Sequence, residues 1–215
     1  MASVDFWFDY ISHNAYLAWH GLKPIADAHN LAIIPQPVVF AGLLNHYGGK
    51  GPAELPAKSQ WMLKNVLRKA RQLDLTLRPP ASHPFNPLLS LRATLAIDDV
   101  ATRTRFIDSM FHAVWAESRD PSAAQTINDC ATQAGCDGEH ILAQANDPDI
   151  KDALHNQTRE AIRRKVFGVP SILIGDELFW GYDDLVFMRQ HLEGSDPLDT
   201  NDLQQWQRVR PSARR

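Results

Sequence analysis

The chain has 215 residues, 44% of them hydrophobic and 22% charged, enough for one sizeable core or for one core carrying a large insertion. A formal net charge of −3 gives no global basic field, so nucleic acid is not an expected partner. The N-terminus has neither a basic n-region nor an apolar h-region, and no apolar run approaches the roughly 18 residues of a membrane span, so a cytoplasmic protein without a membrane partner is expected.

Val4–Asp9 is short, aromatic and β-favouring, and reads as a strand. Tyr10–Asn14 is a turn, and Ala15 to His29 reads as a helix that Pro24 should kink or restart. Ala32–Val39 is a second strand, and Pro35 and Pro37 suit an edge. From Phe40 to Phe167 the signal turns helical. His46–Pro56 reads as a Gly/Pro-rich loop, and Lys58–Leu73 as an amphipathic helix with Trp61, Met62, Val66, Leu67, Ala70 and Leu73 on its apolar face. The prolines of 78–87 exclude regular structure there. Helices are predicted over 88–98, 102–117, 122–134, 138–145 and 146–166, with Asp137 and Asp147 as N-caps of the last two.

Ser171–Ile174 is the third strand, and Gly175-Asp176 turns it into Glu177–Trp180 as a hairpin. Gly181-Tyr182-Asp183 leads into a helix ending near Leu192. Residues 195–215 have few apolar side chains and read as a flexible, solvated tail. Cys130 and Cys136 fit neither metal nor redox spacing and read as two free thiols, so no metal is expected.

The order β-α-β, long helical stretch, β-β-α defines an α/β fold: one small sheet with helices on its faces and a large all-helical insertion. Residues 1–39 and 168–194 form the discontinuous sheet domain, and 40–167 the insertion. In such a fold the first βα turn, with Ser12, can lie beside the turn before the third strand, with Val169-Pro170. Each turn has two readings. Ser12 is an N-cap, or a hydroxyl that donates to a thiolate at a helix N-terminus. Gly168-Val169-Pro170 is a helix stop and strand start, or a cis-Pro turn that exposes the Val169 main chain to an extended ligand.

The segments Asp5–Ser12 with Asn14–Ala18, Lys165–Ser171 and Gly175–Gly181 resemble the 2-hydroxychromene-2-carboxylate isomerase family. That family is related to kappa-class glutathione transferases within the DsbA-like thioredoxin fold. The resemblance spans residues 4 to about 192 and implies a thioredoxin-like fold, glutathione as cofactor, a small aromatic keto acid as substrate and a homodimer. It implies that Ser12 holds or activates the glutathione sulfur and is the catalytic residue. Val169 before Pro170 would pair with the cysteinyl part of glutathione, within a site completed by Trp180, Gly181, Tyr182 and Asp183. Asp183 would take the γ-glutamyl ammonium, and Lys58 a carboxylate. Gly49, His83 and Asn86 are placed near the substrate.

Positions 12–15 are Ser-His-Asn-Ala, so dithiol chemistry is excluded there. His13 stands where the family usually has Pro, Gly49 where it has a glutathione-contacting Asn, and Tyr182 where it has another Asn. The expected activity is reversible thiolate addition that interconverts 2-hydroxychromene-2-carboxylate and trans-o-hydroxybenzylidenepyruvate, or a related keto acid. A kappa-type transferase or peroxidase, and a non-catalytic DsbA-like protein that binds a peptide or small ligand, are the alternatives.

Overall fold

The structure, a computed structural model, describes residues 2–212. Four strands make one mixed sheet in the order β2-β1-β3-β4. Strand β1 (Ser3–Phe8) pairs parallel to β2 (Ala32–Pro37) and antiparallel to β3 (Ser171–Ile174). Strand β4 (Glu177–Trp180) closes the hairpin against β3. Pro35 and Pro37 thus lie on an edge strand, where a missing N–H costs the ladder least.

Strand β1 is central, and its alternation divides the interior. Val4, Phe6 and Phe8 point into the larger core, while Trp7 points to the opposite face. On the first face Phe6, Phe8 and Tyr10 pack on Trp19 of α1 (His13–Ala28) and Phe111 of α5 (Val100–Trp115). On the second, Trp7 joins Val38, Leu43, Ala161, Val166, Val169 and Leu173. The inserted helices therefore share a core with the sheet. At about 25 cal/mol per Å² of apolar surface removed from water, these fully buried aromatic side chains are the largest single contributors to it.

The insertion holds α2 (Phe40–Tyr47), one 3-10 turn, α3 (Pro56–Gln72), α4 (Leu88–Leu95), α5, α6 (Ala124–Ala134), α7 (Gly138–Gln144) and α8 (Pro148–Arg163). Asp137 and Asp147 cap α7 and α8 as their sequence positions predict. Helix α1 runs on through Pro24 rather than restarting. Helix α2 occupies a stretch read in part as loop; its N-cap Val39 supplies no side-chain bond, and Gly48 in the left-handed region ends it. In α3 the buried residues are Val66, Lys69 and Ala70, whereas Trp61 and Leu67 are more than half exposed. After α9 (Leu185–Leu192), α10 (Thr200–Gln207) forms with Asp199 as cap, where a tail without helix is expected; none of its residues is buried. Residues 213–215 of that tail lie outside the described residues. Both cysteines are free thiols, and burial pushes Cys130 up to about 11.

Among the described residues no helix is long and apolar enough to cross a membrane.

Candidate active site

The βα turn that carries Ser12 is held from below by a carboxyl group. Asp9 is buried at the end of β1; its Oδ1 accepts from the Ile11 N–H (3.0 Å) and its Oδ2 from the Phe40 N–H (2.9 Å). One side chain therefore fixes the turn and ties it to the start of α2. Burial raises Asp9 to about 7, and the two amide bonds only partly offset it. Trp115 holds the same turn from α5, its Nε1 donating to the Tyr10 carbonyl at 2.9 Å.

Ser12 is the N-cap of α1. Its Oγ accepts from the Ala15 N–H at 3.1 Å and donates to the Val169 carbonyl at 3.3 Å. Both readings of Ser12 begin from this geometry: the hydroxyl caps the helix and also faces the Val169-Pro170 turn, 157 residues away in sequence. The Val169-Pro170 bond is cis, as is His83-Pro84. The Gly181 N–H donates to the Pro170 carbonyl at 2.9 Å, which brings the Trp180–Asp183 segment against the same turn. Gly181 adopts φ +81°, which favours glycine. A Cβ on Gly168 would lie 2.7 Å from the Trp180 Nε1, so glycine there lets the indole close over the turn.

These segments line a cleft of about 670 Å³, within the range of small-molecule sites. Ser12, Val169, Pro170, Trp180, Gly181, Tyr182, Asp183, Lys58 and His83 all reach it. Gly49 and Asn86 do not. The Gly49 N–H closes the end of α2 on Leu44, leaving its neighbours Lys50 and Gly51 to face the cleft. Asn86 turns its Oδ1 to the Leu88 N–H (3.0 Å) and serves the start of α4 instead. Asp183 is not the cap of α9: Asp184 takes that position and accepts from the Trp180 N–H at 2.9 Å, while Asp183 pairs with Lys69 at 2.7 Å.

Three groups in or beneath the cleft have no strong sequence signal. Lys69 is buried, although its partner Asp183 is largely exposed. Its ammonium also lies 5.6 Å from the Tyr182 ring centroid. Asp184 and Asp9 are the other two. A polar residue on the buried side of α3, three residues from Val66 and next to Ala70, is the trace that could have revealed Lys69.

His13 opens α1 and stacks against His83 (6.0 Å, 26°), with Trp115 edge-on to both rings. The His83 ring meets the Ile11 carbonyl through Nε2 at 2.9 Å. The His13 Nδ1 is buried without a hydrogen-bond partner. Burial, then His83 and Lys69, push His13 down to about 4, so the ring is neutral at pH 7. Around Ser12, then, stand a helix N-terminus, the neutral His13 imidazole and the Lys69 ammonium, a setting that favours an anion. Among the described residues no cluster of His, Cys, Asp and Glu is placed to hold a metal.

The fold and this site define a thioredoxin-like protein with a serine, Ser12, at the turn from its first strand to its first helix. The family model of the DSBA-like thioredoxin domain matches residues 3–193. A 2-hydroxychromene-2-carboxylate isomerase from Pseudomonas putida is 30% identical over 193 residues, covering 86% of this chain and 91% of that protein. Glutathione S-transferase kappa 2 from Caenorhabditis elegans is 25% identical, covering 80% and 81%. A solved 2-hydroxychromene-2-carboxylate isomerase superposes with a TM-score of 0.84 at 26% identity, covering 89% of this chain and 95% of that one. The chain belongs to the DsbA-like thioredoxin domain family, in its branch of 2-hydroxychromene-2-carboxylate isomerase enzymes.

Proposed function

We propose that the protein is a glutathione-dependent isomerase acting on 2-hydroxychromene-2-carboxylate, trans-o-hydroxybenzylidenepyruvate or a related aromatic keto acid. The observation that carries this reading is the Ser12 hydroxyl facing the Val169 carbonyl inside one cleft. The side chains present fit glutathione: Lys50 and Lys58 suit its carboxylates, Asp183 and Asp184 its ammonium, and the Val169 main chain its peptide. When bound, glutathione would supply the thiolate that adds reversibly to the conjugated acid and permits rotation about the former double bond.

The chain's own residues do the rest. With glutathione bound, the Ser12 O–H would turn from the Val169 carbonyl to the sulfur while still accepting from Ala15. That exchange frees the Val169 carbonyl for an N–H of the ligand. The α1 N-terminus favours the ionised sulfur, and a thiol of pKa about 8.5 is only a few per cent ionised at pH 7 without such help. His13, neutral and adjacent, adds no like charge to compete with Lys69. Trp180 and Phe167, in contact at 5.4 Å and both half-exposed, offer an apolar wall to an aromatic acceptor. Asp9 and Trp115 keep the Ser12 turn fixed throughout.

Interconversion of the two acids, followed by ultraviolet absorbance with and without glutathione, tests the reading. A rate that requires glutathione and does not consume it is expected; no rate, or one indifferent to glutathione, overturns it. The similarity to a kappa-class transferase supports a second reading, in which the same activated thiol is consumed by an electrophile. Stoichiometric thiol loss separates the two.

A further inference from the structure

We propose that Lys69 anchors a ligand carboxylate, which takes over the ammonium from Asp183. This inference rests on the reading above only for the identity of the ligand. Among the described residues Lys69 is the one buried lysine. An ammonium taken out of water must be compensated by an anion. Its compensation here is asymmetric: the Lys69 side chain is 9% exposed and that of Asp183 71%. This ion pair buries the cation at the cleft wall and leaves the anion exposed, where it can turn to water.

Lys69 lines the cleft, and among the described residues Asp183 is the one carboxylate within ion-pair distance of it. The nearby imidazole of His13 is uncharged, and the influence of Lys69 reaches it. In the same wall of the cleft the His13 Nδ1 is buried without a hydrogen-bond partner. The Tyr182 ring shields another side of the ammonium. A carboxylate entering the cleft would replace Asp183 at Lys69, and Asp183 would be released for a ligand ammonium. Exchange of one carboxylate for another leaves the buried charge compensated throughout, so the cleft can bind an acid without passing through an unpaired ammonium. The carboxylate is that of the aromatic acid or one of glutathione's own.

The test compares wild type with Lys69→Met and Lys69→Arg. Met keeps the stem of the side chain, and exposed Asp183 needs no partner, so the melting temperature of Lys69→Met reports folding directly. Calorimetric titrations use trans-cinnamate, its isosteric amide trans-cinnamamide, and S-methylglutathione. Wild type is expected to prefer cinnamate over the amide by at least about tenfold, the scale of a charge-assisted bond. Lys69→Met should abolish that preference, and Lys69→Arg should restore part of it. If S-methylglutathione affinity falls by a similar factor instead, the anchored carboxylate belongs to glutathione. If neither ligand weakens in folded Lys69→Met, the proposal is wrong. Loss of the acid preference in a protein without isomerase activity would keep the anchor and discard the reaction.

Discussion

Replacing His13 by Phe isolates one buried titration in the cleft. In the native protein His13 remains neutral until the pH falls to about 4, because burial, then His83 and Lys69, disfavour its charged form. In the unfolded chain the same imidazole takes up a proton near 6.5. Between these values the unfolded state binds more protons, so stability falls as the medium is acidified from pH 6.5 toward 4. At about 1.36 kcal/mol per unit, wild type loses about 2.5 kcal/mol from this group between pH 7.5 and 4.5. Asp9 acts in the opposite sense. Its native value of about 7 lies above its ordinary 3.8, so its contribution is lost as pH rises through 7. Wild type alone therefore shows a shallow profile, and the difference between variant and wild type carries the signal. Phe fits the site between His83 and Trp115 in size and removes the unpartnered Nδ1. Urea denaturation of both proteins at pH 7.5 and 4.5 gives the two differences. The variant should gain about 2.5 kcal/mol relative to wild type on acidification. A change below about 0.5 kcal/mol would mean that His13 protonates as freely in the fold as outside it, and would refute the assignment of a buried neutral ring.

Gly168→Ala should displace the Trp180 indole, since the new Cβ would lie 2.7 Å from its Nε1; an altered tryptophan emission with weakened glutathione binding checks this. Trp115→Phe removes the donor to the Tyr10 carbonyl and should cost about 1–3 kcal/mol, the penalty of an unpaired buried acceptor, read from the urea midpoint at constant slope. If the protein binds glutathione, 100 Kd of it should add about 2.7 kcal/mol of stability, visible as a raised melting temperature; no shift at millimolar glutathione favours a binding shell for some other ligand.

Much of the fold was legible because its signals are local. The run Val4–Asp9 is short, aromatic and β-favouring, Asp137 and Asp147 announce their helices, and Gly175 marks the hairpin turn. The meeting of Ser12 with Val169 was legible only through the order of elements, which places two turns at one end of one sheet. What stayed hidden depends on partners remote in sequence. The apolar side of α3 looked wider than it is: Trp61 and Leu67 face outward, and Lys69, 114 residues from Asp183, goes in. Helix α2 has no capping side chain to announce it. Asn86 and Gly49 looked like cleft residues because their loops reach it, yet a local turn claims the first and a helix end the second. Asp184, which drew no reading from the sequence, stands at the helix start, and Asp183 pairs with the lysine.

The central claim is that the Ser12 hydroxyl, as well as capping α1, activates a bound thiol. Turnover of trans-o-hydroxybenzylidenepyruvate by Ser12→Ala, at saturating glutathione and alongside its unfolding free energy, tests that claim most directly. Loss of the cap bond to Ala15 should cost about 1 kcal/mol of stability, while turnover should fall by about 100-fold or more, the scale of one donor removed from a developing anion. Unchanged turnover in a folded variant would contradict the account.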